Sequence, residues 1–342
     1  MSLATLQIIW YVLIGILISG YAILDGFDLG VGVLSPFVAR NEQERRLLLK
    51  AIGPFWDGNE VWLLTAGAAL FAAFPHVYAT VFSGFYLALM LLLFALILRA
   101  VSFEFRHQMG VEKWRRIWDW VFFFGSLIPA MLTGVALGNA VRGVPLNAQM
   151  EFTGNFFTLL NPFSLLVGLT GLAMFLTHGA IFLMVKTNGA VAERAKRWAL
   201  NGWTALLILF LLTSIVGYIS AQHLFANYIQ TPIAWAVPFL VVIFLAATRN
   251  RTEKENPGRA FTFSALTITG LIGVLGIAGF PFLVYALNTM EHGLSIYKAS
   301  ASHTTLMTML IIALIGMPIV IAYSAYVYYI LRGKVQVEDE GY

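Results

Sequence analysis

Nine stretches of roughly 20 mostly apolar residues recur along this chain, and that repetition leaves few folds open. They run Leu6–Phe37, Phe55–Phe74, Ala79–Leu98, Trp118–Val141, Pro162–Val185, Trp198–Ala221, Pro232–Thr248, Phe261–Leu287 and Leu306–Leu331. Each can cross a bilayer as a helix, and the short connections leave no sequence for a soluble domain. With 59% apolar and 11% charged residues in 342, an ordinary soluble enzyme and a disordered chain are both excluded. The 27 Phe, 13 Tyr and 9 Trp suit a lipid-facing surface with aromatic belts. The first stretch has no basic segment before it and is too long for a signal-peptide core, so it reads as retained. The fold class is an all-α integral membrane protein with nine transmembrane helices. A natural division is two four-helix bundles, 1–142 and 143–290, plus a ninth, peripheral helix over 300–331. The long loop Arg142–Asn161 would mark the seam. No convincing internal sequence repeat accompanies that division.

Basic residues fix the orientation. Arg40, Arg45, Arg46 and Lys50 follow the first stretch, and Arg99, Arg106, Lys113, Arg115 and Arg116 the third. Lys186, Arg194, Lys196 and Arg197 follow the fifth, Arg249, Arg251, Lys254 and Arg259 the seventh, and Arg332 and Lys334 the ninth. Only Arg142 and Lys298 fall in the other loops, so 19 of the 21 Lys and Arg share one side. That side is cytoplasmic, which puts the N-terminus outside and the C-terminus inside. The bias would collapse if a span were miscounted.

Carboxylates inside such spans are costly and mark function by default. The first span carries Asp25 and Asp28, three apart and so on one helix face, about 16 Å and 12 Å inward from Pro36. Gly26 and Gly30 form a small-xxx-small pair that admits a close neighbouring helix. The second span opens Trp56-Asp57-Gly58-Asn59-Glu60, with Asp57 and Glu60 again three apart. A short loop joins the two spans, so the four acids Asp25, Asp28, Asp57 and Glu60 are expected to converge. Four anions cannot share a low-dielectric site, so some are expected to hold protons at neutral pH. Two readings stay open: a proton path, with Asp57 its foremost member, or carboxylates that only tie helices together. Glu60 faces no obvious partner in the sequence and reads as packing. Arg99 and Glu104 end the third span as candidates for an ion pair or proton entry: Arg99 either pairs with one of the four acids or snorkels to the interface. Asp119 sits where a helix N-terminus is expected, which favours an acid.

Other chemistries find little support. There is no Cys, hence no disulfide, thiolate-bound cluster or covalently attached haem. Of six His, only His178 lies well inside a span, and bis-His haem ligation needs a second at similar depth. No phosphate-binding loop, HExxH or GxSxG element occurs, and the short basic loops are explained by topology rather than by nucleic acid. Pro281 is expected to kink the eighth span.

The strings Asp25-Gly26-Phe27-Asp28-Leu29-Gly30-Val31-Gly32 and Pro54-Phe55-Trp56-Asp57-Gly58-Asn59-Glu60-Val61-Trp62 resemble subunit II of the cytochrome bd-type quinol oxidases. The resemblance continues through Ala66–Pro75, Phe82–Tyr86, Trp114–Trp120, Gly134–Asn139 and Thr153–Phe157. It is dense in the first half and carried by span number and Pro281 in the second. It implies a subunit of an enzyme that oxidises quinol and reduces dioxygen to water, electrogenic without being a pump. Haems b and d and the main quinol site would belong to a partner, subunit I. This chain would ligate no haem or metal and would support that partner and conduct cytoplasmic protons. The family's proton-path acids map onto Asp25 and Asp57, with Asp28 nearby. Glu104 stands where relatives often have Asp. The resemblance leaves room for a small single-span accessory subunit and for a quinone or lipid bound here. It places the chain in a bacterial or archaeal cytoplasmic membrane. A proton-coupled transporter is the alternative that would also use intramembrane acids.

Overall fold

The structure, a computed structural model, describes residues 1–336. Thirteen helices follow in order: α1 Leu3–Val38, α2 Glu42–Ile52, α3 Trp56–Ala73, α4 Pro75–Gly84, α5 Tyr86–Phe105, α6 Glu112–Arg142, α7 Pro162–Lys186, α8 Gly189–Ser220, α9 Ala226–Gln230, α10 Ala236–Glu253, α11 Pro257–Gly279, α12 Ile296–Ala299 and α13 His303–Ile330. A small hairpin, β1 Phe282–Val284 and β2 Leu294–Ser295, lies between α11 and α12. Helix starts are written in the sequence. Asn161-Pro162 and Asn256-Pro257 each place a capping amide before a proline that needs no helical N–H acceptor. Ser2, Asn41 and Ser302 cap α1, α2 and α13 in the same way.

Eight helices are long and apolar enough to cross a membrane: α1, α5, α6, α7, α8, α10, α11 and α13. The second expected span is α3, 18 residues opening on Asp57, Asn59 and Glu60. It runs from the end of the molecule bearing α2 to the far end, where the Ala73 carbonyl accepts from the Ala301 N–H. α1 lies at the centre and packs against α3, α6, α7 and α11. α13 rests on α1 and α3 with most of its apolar surface exposed, as at Ile312, Leu314 and Ile319.

Three expectations need correction. The third stretch, Ala79–Leu98, is broken at Phe85, where α4 ends and α5 begins; Phe152 from the α6–α7 loop sits against this point, and a Cβ on Gly84 would meet it at 2.6 Å. The eighth stretch, Phe261–Leu287, is helical only to Gly279. Phe280, before a proline, turns extended, and the chain enters β1, pairing Phe282 with Ser295 and Val284 with Leu294. Pro281 therefore lies beyond α11 and kinks nothing. Finally, α6 begins at Glu112 rather than near Trp118, so Asp119 stands two turns inside the helix and not at its N-terminus.

The loops that carry the basic residues meet at one end. Arg106 clamps Glu42 with two bonds of 2.9 and 2.7 Å and reaches Asp119 at 2.8 Å; Arg45 pairs with Asp119 as well. Arg194 joins Glu44 at 2.6 Å and the Val38 carbonyl, and Lys196 joins Glu255. Lys334 donates to the Met184 and Thr187 carbonyls while Lys186 donates to that of Leu331, a reciprocal capping of α7 and α13. Burial works against the charge of Glu42, but the hydrogen bonds and positive charge of Arg106 outweigh it and hold the carboxyl at about 2.

Candidate functional site

α1, α3, α5 and α13 bring a polar cluster together about 15–20 Å, along α1, from the basic end. Asp25 and Asp28 come from α1, Asn59 and Glu60 from the first turn of α3, Arg99 from the last turns of α5 and Tyr328 from the end of α13. Arg99 Nη1 donates to Asp25 Oδ1 at 3.1 Å and to Glu60 Oε1 at 2.8 Å, so one nitrogen bridges two carboxyls. Asn59 Nδ2 donates to Asp28 Oδ2 at 2.7 Å and to the Leu24 carbonyl at 3.1 Å. Tyr328 O–H donates to Asn59 Oδ1 at 2.9 Å.

Burial is graded. Asp25, Asp28 and Arg99 are 0% exposed, Asn59 is buried, the Glu60 side chain is 22% exposed, and Asp57, one turn nearer the basic end, lies on the surface of α3. Three carboxyls thus face one guanidinium. Asp25 Oδ2, Asp28 Oδ1 and Arg99 Nε and Nη2 find no partner among the described residues. Unmatched buried polar atoms are rare in folded proteins.

Glycines build the cluster's walls. A Cβ at Gly30 would strike the Phe175 carbonyl oxygen, and one at Gly26 would meet the Phe175 ring at 2.7 Å, so α7 closes directly on α1. Gly125 does the same for α6, whose backbone lies against that of α5; a Cβ there would meet the Arg99 backbone nitrogen at 2.9 Å. Trp56 stacks on Phe103, rings 5.3 Å apart, and braces α3 against α5.

Sequence reasoning and structure differ at several points. Of the two readings for Arg99, snorkelling fails and pairing with an acid holds: α6 covers it and its Nη1 bonds both Asp25 and Glu60. Glu60 has a partner after all, Arg99. Glu104 is exposed at the end of α5 and takes no part in the cluster. Asp57 stands outside the bonded group. Asp119 belongs to the ionic belt of the basic end. Asn59 and Tyr328 were missed; an amide between two acids in Asp57-Gly58-Asn59-Glu60 was the available signal for the first.

His178, the one His well inside a span, has both ring nitrogens engaged, Nδ1 with Ser264 Oγ at 2.6 Å and Nε2 with the Ile23 carbonyl at 3.1 Å. Its ring stacks on Phe261. It therefore does not fit an axial haem ligand. Among the described residues no group of three His, Asp or Glu is suited to a metal ion.

The family described as cytochrome bd terminal oxidase subunit II matches residues 6–331. The chain belongs to that family. Its similarity to the cytochrome bd-I ubiquinol oxidase subunit 2 of Escherichia coli (strain K12) is 39% identity, covering 98% of this chain and 96% of that one. The cytochrome bd ubiquinol oxidase subunit 2 of Bacillus subtilis (strain 168) is 36% identical, over 97% and 98%. The fold is shared with the bd oxidase of Geobacillus thermodenitrificans at a TM-score of 0.78, with 20% identity over 96% of this chain and 99% of that chain. This subunit II is a multi-pass membrane protein.

Proposed function

We propose that the chain is the haem-free subunit of a quinol:oxygen oxidoreductase, crossing the cytoplasmic membrane nine times from an outer N-terminus to a cytoplasmic C-terminus. In this reading α3 is a crossing, 1–142 and 143–290 form two bundles, and α13 is the ninth, peripheral helix. Haems b and d and the quinol chemistry reside in a partner subunit I. The names of the relatives support the activity, and the engagement of both His178 nitrogens supports a chain that leaves the iron to its partner. Asp57 supports the partnership itself: it is exposed on a face of α3 that also carries Val61 and Leu64, and an acid facing lipid is costly.

The role of the buried cluster is to accept cytoplasmic protons and deliver them toward that partner, which makes turnover electrogenic without pumping. One observation carries this: three carboxyls around a single guanidinium, half-buried Glu60 and sealed Asp25 and Asp28, with a fourth acid, the exposed Asp57, one turn nearer the basic end. Such a set cannot be fully ionised, so it holds exchangeable protons. Glu60 and Asp25 share Arg99 Nη1, so a change of charge on one is felt at once by the other. The test is oxygen consumption by the purified complex with Asp57→Asn or Asp25→Asn. Slowed turnover with an unaltered haem spectrum is the expected result. Full-rate turnover in both variants would leave the acids a packing role only. Purification with a large haem-bearing partner separates this reading from a self-sufficient, colourless transporter.

A further inference from the structure

We propose that Tyr328 is a positioning residue that, through Asn59, confines the transferable proton of Asp28 to Oδ1. The proposal rests on the proton path above and names the atom at which that path uses Asp28.

Hydrogen-bond capacity fixes the orientation of the Asn59 amide. An amide offers two N–H donors and one carbonyl acceptor. Asn59 spends both donor bonds on acceptors, Asp28 Oδ2 and the Leu24 carbonyl, and its Oδ1 takes the Tyr328 hydroxyl. Turning the amide over would set its oxygen against two acceptors. It would also strand the Tyr328 O–H, which has no other acceptor among the described residues. Burying a polar group without its bond is expensive, so the amide is held in one orientation. Asp28 Oδ2 is then permanently an acceptor from N–H, and a proton can settle only on Oδ1, the oxygen left without a partner. Tyr328 is itself fixed. Its ring stacks on Phe55 at 4.6 Å, and the reciprocal lysine caps bind the end of α13 to α7. The peripheral helix thus reaches into the centre of the molecule through one hydroxyl.

Tyr328→Phe keeps the stacked ring and removes only the lock. In the purified complex, with haem absorbance confirming assembly, it should slow oxygen consumption about fivefold, the rate equivalent of one buried hydrogen bond. Asn59→Leu should be slowed at least as much, and Tyr328→Phe added to it should cost nothing further, because both changes remove the same constraint. The infrared band of the protonated Asp28 carboxyl, assigned by its disappearance in Asp28→Asn, should move in Tyr328→Phe. Independent, multiplying losses in the double variant would show plain packing and overturn the proposal. So would a wild-type rate and band in Tyr328→Phe while Asp28→Asn is slow, which leaves the proton path standing. Failure of Tyr328→Phe to assemble would make Tyr328 structural and also overturn it. Wild-type turnover in Asp28→Asn would overturn the use of Asp28 in the path and this proposal with it.

Discussion

At the scale of single residues, Arg99 decides how the cluster can exist. It is wholly buried and holds Asp25 and Glu60 from one nitrogen. Removing one partner of a buried ionic group costs more than the group contributes, on the order of 3–5 kcal/mol, because uncompensated charge remains. Arg99→Met should therefore lower the thermal stability of the solubilised complex by about that amount. Adding Glu60→Gln should recover part of it, since one stranded charge is then gone. Equal instability of the single and double variants, followed by haem retention on heating, would contradict the pairing. The acids of this site were legible because carboxylates in apolar runs stand out by themselves. Arg99 was legible only as one of two things, a partner for an acid or an interfacial cation near the end of a long apolar run, and the level at which α1 and α3 present their acids decides between them. Tyr328 lies 269 residues from the amide it bonds, a distance no local pattern bridges.

At the scale of elements, contact between helix backbones does much of the work. Gly30 of α1 meets Phe175 and Gly179 of α7 with no room for a methyl group, whereas Gly15 on the same helix has nothing within 4 Å of an added Cβ. Gly30→Ala should destabilise the protein by at least about 1–3 kcal/mol, since two backbones must part. Gly15→Ala should be neutral or gain up to about 1 kcal/mol from helix propensity. Thermal unfolding of the two variants reads the contrast directly, and equal effects would refute it. The ionic belt at the basic end adds a pH signature. Glu42, held at about 2 when folded against 4.5 when free, contributes stability that is complete above about pH 4.5 and is lost as pH falls toward 2. The stability gap between wild type and Glu42→Gln should accordingly stay constant from pH 7 to 5 and narrow below 4.5. Hydropathy located these helices well but not their ends. The break at Phe85 lies against Phe152 of a distant loop, and β1 depends on pairing with Ser295 and Leu294, contacts invisible to a reading that runs along the chain.

At the scale of the whole molecule, the two ends are built differently. Buried side chains on α1 at Leu6, Trp10, Ile14 and Leu17 separate the cluster from the far end, and Val284 and Leu294 of the β-hairpin and Ile296 of α12 pack over that layer. Toward the basic end the cluster instead grades through Glu60 to the exposed Asp57. One-sided access of this kind is what a vectorial proton path needs, and it has meaning only if α3 crosses the membrane. The chain offers a clean way to decide, because it contains no Cys. Single cysteines at Lys50, before α3, and at His76, after it, both fall on exposed positions. If α3 is a crossing, a membrane-impermeant thiol reagent applied to intact cells labels His76→Cys and spares Lys50→Cys, and inverted vesicles give the opposite pattern. Exposed Lys113 should behave as Lys50 does, and exposed Gln149 as His76 does, because the belt and the hairpin set them at opposite ends. Labelling of positions 50 and 76 from the same side would make α3 a re-entrant element and the crossings eight. The even alternation of basic loops would then fail, and with it the assignment of a cytoplasmic mouth at Asp57.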